Sequence, residues 1–168
     1  MILVSSLHRM CGKKDFDMSE QKQLTIETIM EMWDEDSSID RNQISEETLK
    51  TPKLHAKYLQ MLMQCKSKLI KYDSDYQDLK GAKFRYYRGE MSRDELQERG
   101  WDQWQGVKPL KSDMETFLES DKDLLKLKLR RQYYENMIYQ LESIMKQIQN
   151  RDWGLKNHIT MIQFLAGK

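Results

Sequence analysis

The stretch Thr51–Leu79, TPKLHAKYLQMLMQCKSKLIKYDSDYQDL, decides the fold. Its apolar side chains stand at Leu54, Tyr58, Met61, Cys65, Leu69, Tyr72, Tyr76 and Leu79, at spacings of 4, 3, 4, 4, 3, 4 and 3. A helix brings residues three and four apart onto one face, so this is a single stripe sustained for about seven turns. The stripe is narrow and seam-like, which predicts another helix as its partner. Thr51-Pro52 fits a helix start: Thr caps, and Pro at the first helical position gives up no needed hydrogen bond. Gly81 is expected to weaken this helix and Gly89 to end it.

Further along, residues 121–150 read as a second long helix. One stripe runs Tyr133, Met137, Leu141, Ile144, Ile148; an overlapping one runs Tyr134, Ile138, Leu141, Met145, Ile148. A face this wide covers more than one neighbour, so Tyr134, Met137, Ile138, Leu141, Ile144, Met145 and Ile148 are expected at a subunit interface as well as in a core. Leu125-Lys126-Leu127-Lys128-Leu129 alternates with period two, yet its uninterrupted continuation favours helix. Gly154, after Trp153, is expected to break the pattern before a last helix over 155–165 with Leu155, Ile159, Ile162 and Phe164.

Toward the N-terminus, residues 21–34 read as a short amphipathic helix (Leu24, Ile26, Ile29, Met30, Met32, Trp33), followed by an acidic linker over 34–40. Another short helix is expected near Ser45, with Glu46 and Glu47 in its favourable first turn. Residues 1–20 read as a weakly ordered extension, and 21–168 as one helical domain. Residues 89–112 are irregular, holding three of the seven glycines and one of the two prolines. Within them Ser92-Arg93-Asp94-Glu95 resembles a capping box that Gly100 closes, and Ser112-Asp113-Met114-Glu115 offers another. Trp101 and Trp104 fit core plugs better than base-stacking platforms. The fold class is all-α: two long amphipathic helices plus shorter ones.

The composition agrees. The 168 residues are 39% hydrophobic and 33% charged, with few helix breakers among many Lys, Glu, Leu, Gln and Met. No run approaches the roughly 18 apolar residues of a membrane span, and Met1–Leu7 lacks the charged start of a signal peptide. Cys11 and Cys65 form no CxxC and have no nearby His; no zinc site is expected, Cys65 reads as a buried free thiol, and the chain looks cytosolic. There is no GxxxxGK[ST], GxSxG or HExxH, and His8, His55 and His158 lie far apart, so no catalytic residue, metal or cofactor is expected.

The net charge of +1 does not announce a nucleic-acid binder, but the charge is unevenly distributed. Lys53–Arg88 holds nine Lys or Arg and three acids. Its end, Leu79-Lys80-Gly81-Ala82-Lys83-Phe84-Arg85-Tyr86-Tyr87-Arg88-Gly89, packs four cations and three aromatics into nine positions. Single-stranded DNA uses both kinds: cations neutralise phosphates and release counterions, and aromatic faces stack on unpaired bases. Lys80, Lys83, Arg85, Tyr86, Tyr87 and Arg88 are the candidate DNA contacts. The same residues also fit a structural role, with the tyrosines ending the apolar stripe and the cations favouring the helix C-terminus. A second basic set is Lys122, Lys126, Lys128, Arg130 and Arg131.

From about Met30 to Lys168 the chain resembles the UvsY-like recombination mediators of T-even-like bacteriophages. The marks are the basic segment ending Tyr86-Tyr87-Arg88-Gly89, then Ser120-Asp121-Lys122-Asp123-Leu124-Leu125-Lys126, and the terminal Ala166-Gly167-Lys168, in that order and spacing. In the family the segment before the tyrosines reads Lys-Ala-Arg-Leu. Here it is Gly81-Ala82-Lys83-Phe84, with Lys83 in place of the planar arginine and Gly81 in place of lysine. Lys80, Arg85 and Arg88 are the cations available to compensate. The resemblance implies a helical subunit in a ring-like homo-oligomer, on the order of six or seven copies, joined through its C-terminal region (about 121–168). It also implies binding to single-stranded DNA, to a phage RecA-like recombinase and to the phage single-stranded DNA-binding protein. The action implied is recombinase loading in the cytoplasm of the infected host, without hydrolysis or cofactor. A helical protein–protein adaptor without DNA contact remains the other reading of the residues.

Overall fold

A computed structural model describes residues 24–167, so the expected extension over 1–20 lies outside the described residues. Five helices follow in order: α1 (Ile26–Ser37), α2 (Ile44–Arg88), α3 (Arg93–Arg99), α4 (Met114–Ser120) and α5 (Lys122–Leu165). The described residues contain no strand, and Leu125–Leu129 is helical.

The long helices α2 and α5, 45 and 44 residues, form an antiparallel hairpin of roughly 65 Å. Thr51 near the start of α2 meets Asp152 late in α5; Tyr72 stacks on Tyr134 at mid-length; Lys83 near the end of α2 meets Asp121 at the start of α5. Leu54, Tyr58 and Cys65 of the predicted seam are buried, together with Leu62, and face Met137, Leu141, Ile144, Met145 and Ile148. Cys65 is a buried free thiol, as its place in the seam requires.

Helix α1 supplies the third wall of this core through Ile29, with Leu24, Ile26, Met32 and Trp33 packed beside it. Thr25 caps α1 in a reciprocal box with Thr28. At the far end of α1, Trp33 meets Tyr58 edge-on at 5.5 Å, and the Tyr58 hydroxyl donates to Asp36 at 2.9 Å. The wide apolar face of α5 is thereby accounted for inside one chain. Met137, Leu141, Ile144, Met145 and Ile148 are buried, and Tyr134 and Ile138 half-buried, because the second neighbour that the face calls for is α1. Within one chain these residues therefore serve the core part of that expectation.

Several boundaries differ from the sequence reading. Helix α2 starts at Ile44 and runs through Pro52 without the separate short helix expected near Ser45. A proline inside a helix forfeits one backbone hydrogen bond and crowds the preceding turn. Here the turn that precedes Pro52 is anchored to α5: Thr51 donates its hydroxyl to Asp152 at 2.8 Å instead of capping, and Glu47 is ion-paired to Arg151 at 2.5 Å. Arg151 also donates to the carbonyls of Ser37 and Ser38, tying the α1–α2 turn to α5. Gly81 and Gly154 are likewise passed without a break; the continuous backbone bonds of a long packed helix outweigh a cost of about 1 kcal/mol per glycine. Gly89 does end α2, left-handed at φ 68°, and Gly100 ends α3 at φ 66° after the Ser92–Glu95 capping box. The box expected at Ser112 does not form; Asp113 precedes α4 without a side-chain cap.

Candidate nucleic-acid interface

The basic-aromatic segment is the last turns of α2, and it lies at the closed end of the hairpin, where α3, α4 and the start of α5 converge. A second core forms there from Tyr87, Met114, Leu118 and Leu124, with Tyr76, Leu79, Phe84, Tyr86, Trp104 and Phe117 against it. Tyr87 packs edge-on to Trp104 at 4.9 Å and to Phe117 at 5.8 Å; Tyr86 touches Trp101 at 5.2 Å. Both tryptophans are half-buried: Trp104 packs against this core, and Trp101 lies against Tyr86 and Lys83.

At its centre is a buried ionic knot. Asp121 caps α5, accepting from the backbone N–H groups of Asp123 and Leu124 at 2.9 and 3.1 Å. Its other oxygen accepts from the Tyr87 hydroxyl at 2.7 Å and faces the Lys83 ammonium at 2.9 Å. Lys83 also reaches Asp123 at 2.9 Å and lies 4.6 Å from the centre of the Trp101 ring. Burial pushes the Asp121 carboxyl upward, but the hydrogen bonds from Tyr87, Lys83 and the Leu124 N–H outweigh it and hold the group below the usual range. Burial works against the charged Lys83 as well, and its bonds to Asp121 and Asp123 more than compensate, raising its pKa. Tyr87 is shifted upward, first by burial and then by Asp121.

Lys83 is 7% exposed and Tyr87 9%, so both are interior groups with committed partners. The other three cations of the segment lie outside. Lys80 pairs with Glu115 at 2.8 Å, Arg85 with Glu95 at 2.6 Å and Arg88 with Glu90 at 2.8 Å. Exposed pairs of this kind are worth about 0–1 kcal/mol and exchange readily for another anion, whereas the caged Lys83 does not. Tyr86 is half-buried. The segment therefore presents Lys80, Arg85 and Arg88, framed from beneath by Lys83, Tyr87 and Asp121.

Sequence reading missed Asp121 and Asp123 as the acids that hold Lys83; their one visible signal was the N-cap pattern Ser120-Asp121-Lys122-Asp123. It also missed Lys108 and Lys111, which stand in the α3–α4 loop with no acid within ion-pair distance among the described residues. From the second basic set, Arg131 pairs with Asp73 and lies 5.1 Å from the Tyr76 ring centre; Arg130 lies 5.8 Å from that of Tyr72. At the other end of the molecule α5 overhangs the core. There Trp153, Met161, Phe164 and Leu165 are 62–79% exposed, and Ser37, Ile39 and Arg41 face Leu155, His158 and Met161 across an open pocket.

Fold and site together define an all-α hairpin protein with a cationic, aromatic-backed end and a bare apolar helix at the other. No group of His, Cys, Asp and Glu suited to a metal occurs among the described residues. No helix among them is long and apolar enough to cross a membrane. A family model described as "Recombination, repair and ssDNA binding protein UvsY" matches residues 32–168, and the chain belongs to that family.

The recombination protein uvsY of Enterobacteria phage T4 is 26% identical over 145 residues, covering 86% of this chain and all of that protein. Crystal structures of the bacteriophage T4 recombination mediator protein UvsY share the fold. One has a TM-score of 0.74 at 24% identity, covering 85% of this chain and 98% of the other; a second lattice form has 0.73 at 22%, covering 84% and 99%.

Proposed function

We propose that this protein is a recombination mediator: a homo-oligomer that binds single-stranded DNA and promotes loading of a RecA-like phage recombinase onto DNA covered by single-stranded DNA-binding protein, in the cytoplasm of the infected host. The observation that carries the DNA half is the exposed Arg85 and Arg88, with the half-buried Lys80 beside them, on an aromatic-backed helix end, each ion-paired only at the surface. One such patch is a weak binder. A ring of on the order of six or seven copies offers one strand many patches, and linked weak contacts give tight binding through effective concentration. A strand drawn along that ring is held extended, which loosens a competing single-strand binder and exposes DNA for recombinase nucleation.

Self-association is assigned to the α5 overhang. Ile159, Met161, Ile162, Phe164 and Leu165 are large exposed apolar groups on one short stretch of helix, and such a concentration marks an interaction surface. The family membership over residues 32–168 supports the whole reading.

The test is anisotropy of a labelled single-stranded oligonucleotide at several salt concentrations, with duplex competitor. Each phosphate contact adds about 0.7 to the salt slope on a single strand, so the double variant Arg85→Ala/Arg88→Ala is expected to lower the slope by about 1.4 per subunit engaged and weaken binding at every salt. Unchanged affinity and slope would remove this helix end from the mechanism. Absence of binding by the wild-type oligomer even at low salt would return the chain to the adaptor reading.

A further inference from the structure

Beside the exposed cations lies a cleft of about 280 Å³ lined by Phe84, Arg88, Pro109, Leu110, Lys111 and Met114. We infer that this cleft is a nucleobase slot: it takes one unpaired base of a single strand, with the adjoining phosphates on Arg88 and Lys111. The inference rests on the single-strand-binding reading above and names the part of the surface where a base, rather than a phosphate, is held.

Four observations point to this occupant. First, the aromatics of the segment are not equivalent. Tyr86 and Tyr87 are used in ring contacts with Trp101, Trp104 and Phe117, whereas Phe84 makes no ring–ring contact among the described residues and faces the cleft. Second, a planar cation already rests on that face, with the Arg88 guanidinium 5.5 Å from the Phe84 ring centre. A base offers the same flat shape, and by replacing the guanidinium there it frees Arg88 for the strand's own phosphate.

Third, the lip of the cleft and the loop leading to it combine exposed apolar groups with cations that have no acid partner among the described residues. Leu110 and Val107 are 70% and 85% exposed, next to Lys111 and Lys108, which have no ion pair among the described residues. Lys108 lies against Gly89, where an added Cβ would come within 3.3 Å of its Cε, and so sits beside the end of α2. Fourth, the loop that carries this lip is anchored. The Trp104 indole donates to the Val107 carbonyl at 3.3 Å and covers Gly106 so closely that a side chain there would overlap it. Pro109 stiffens the next position. Apolar walls in about 280 Å³, with cations at the rim, suit a flat, uncharged aromatic base flanked by phosphates.

The test compares two labelled oligonucleotides of equal length and charge, one of dT and one of abasic sites, on the full-length protein. Wild type is expected to bind dT at least about tenfold more tightly than the abasic strand, the worth of aromatic stacking. Phe84→Ala is expected to collapse that ratio toward one while leaving abasic binding and its salt slope in place. Phe84 also touches the second core, so Leu110→Asp, at an exposed site on the lip, is the second variant; it should collapse the ratio with helical content unchanged. A wild-type ratio that survives both variants would overturn the slot and assign the cleft to another partner, such as an acidic peptide. A wild-type ratio of one with tight salt-sensitive binding would overturn the slot but leave the DNA-binding reading standing. Absence of binding to both strands would sink both.

Discussion

Lys83 lies in the middle of the basic segment, yet the structure makes it a structural residue, and Lys83→Met separates the two roles. Methionine keeps the stem and removes the ammonium. Asp121 is then left buried without its cation, retaining the Tyr87 hydroxyl and two backbone N–H groups. Breaking a buried pair by removing one partner costs about 3–5 kcal/mol. The retained hydrogen bonds, and the relief of an ammonium that burial disfavours, bring the expected loss down to about 2–3 kcal/mol. For a domain of this size that corresponds to a fall in Tm of roughly 5–10 °C. The assay is thermal unfolding followed by circular dichroism at fixed protein concentration, because self-association would otherwise move the midpoint. In parallel, oligonucleotide affinity is measured where the variant is folded, and is expected to change less than about threefold, with an unchanged salt slope. The opposite pattern, an unaltered Tm with a large loss of affinity and a shallower slope, would refute the cage and make Lys83 a direct phosphate contact.

Other outcomes follow from the same geometry. The Asp121 carboxyl is depressed on folding from an unfolded value near about 3.9, so its contribution is fully present above that pH and is lost as pH falls through the lower folded value; Asp121→Asn should flatten the dependence of Tm in this acid window. Ile148→Asp buries a carboxylate in the α1–α2–α5 core and should cost at least about 4 kcal/mol, read as loss of helical signal; a folded, smaller species by light scattering would instead put Ile148 between subunits. The pair Phe164→Ser/Leu165→Ser should do what Ile148→Asp does not, reducing oligomer size while α-helical content is kept; full-sized oligomer would displace the interface from the overhang. Gly106→Ala forces the Trp104 indole off its seat, and a shifted tryptophan emission spectrum with an intact melting transition is the expected result.

The features legible from the sequence are those set by neighbours along the chain. The 3-4 stripe from Leu54 to Leu79 specified α2 and its helical partner, and Ser92, Gly89 and Gly100 marked their helix ends because capping depends on residues within one turn. Pro52 and Gly154 misled for the same reason. Their local preference is real, but it competes with anchors a hundred residues away, Asp152 on Thr51 and Glu47 on Arg151, which no local window contains. The breadth of the α5 face did predict two neighbours, yet breadth does not say whether the second neighbour belongs to the same chain.

Charge is where reading along the chain departs furthest from reading in space. Nine cations against three acids between Lys53 and Arg88 suggests a bare basic surface, but the acids that meet this helix's last turns are Glu90, Glu95, Glu115, Asp121 and Asp123, all outside the interval. Folding back through α3, α4 and α5 pairs Lys80, Lys83 and Arg85, and Arg88 pairs with Glu90 in the turn that follows α2. What separates a phosphate contact from a strut is then burial: a pair in water trades its anion at little cost, and a pair in a low-dielectric interior does not. By that criterion the proposed polyanion contacts are Lys80, Arg85 and Arg88 without Lys83, together with Lys108 and Lys111 from a loop that no helical periodicity would have singled out. On the reading proposed above, the polyanion surface is assembled from the end of α2 and the α3–α4 loop, and the cleft between them offers an unpaired base both a ring and a cation.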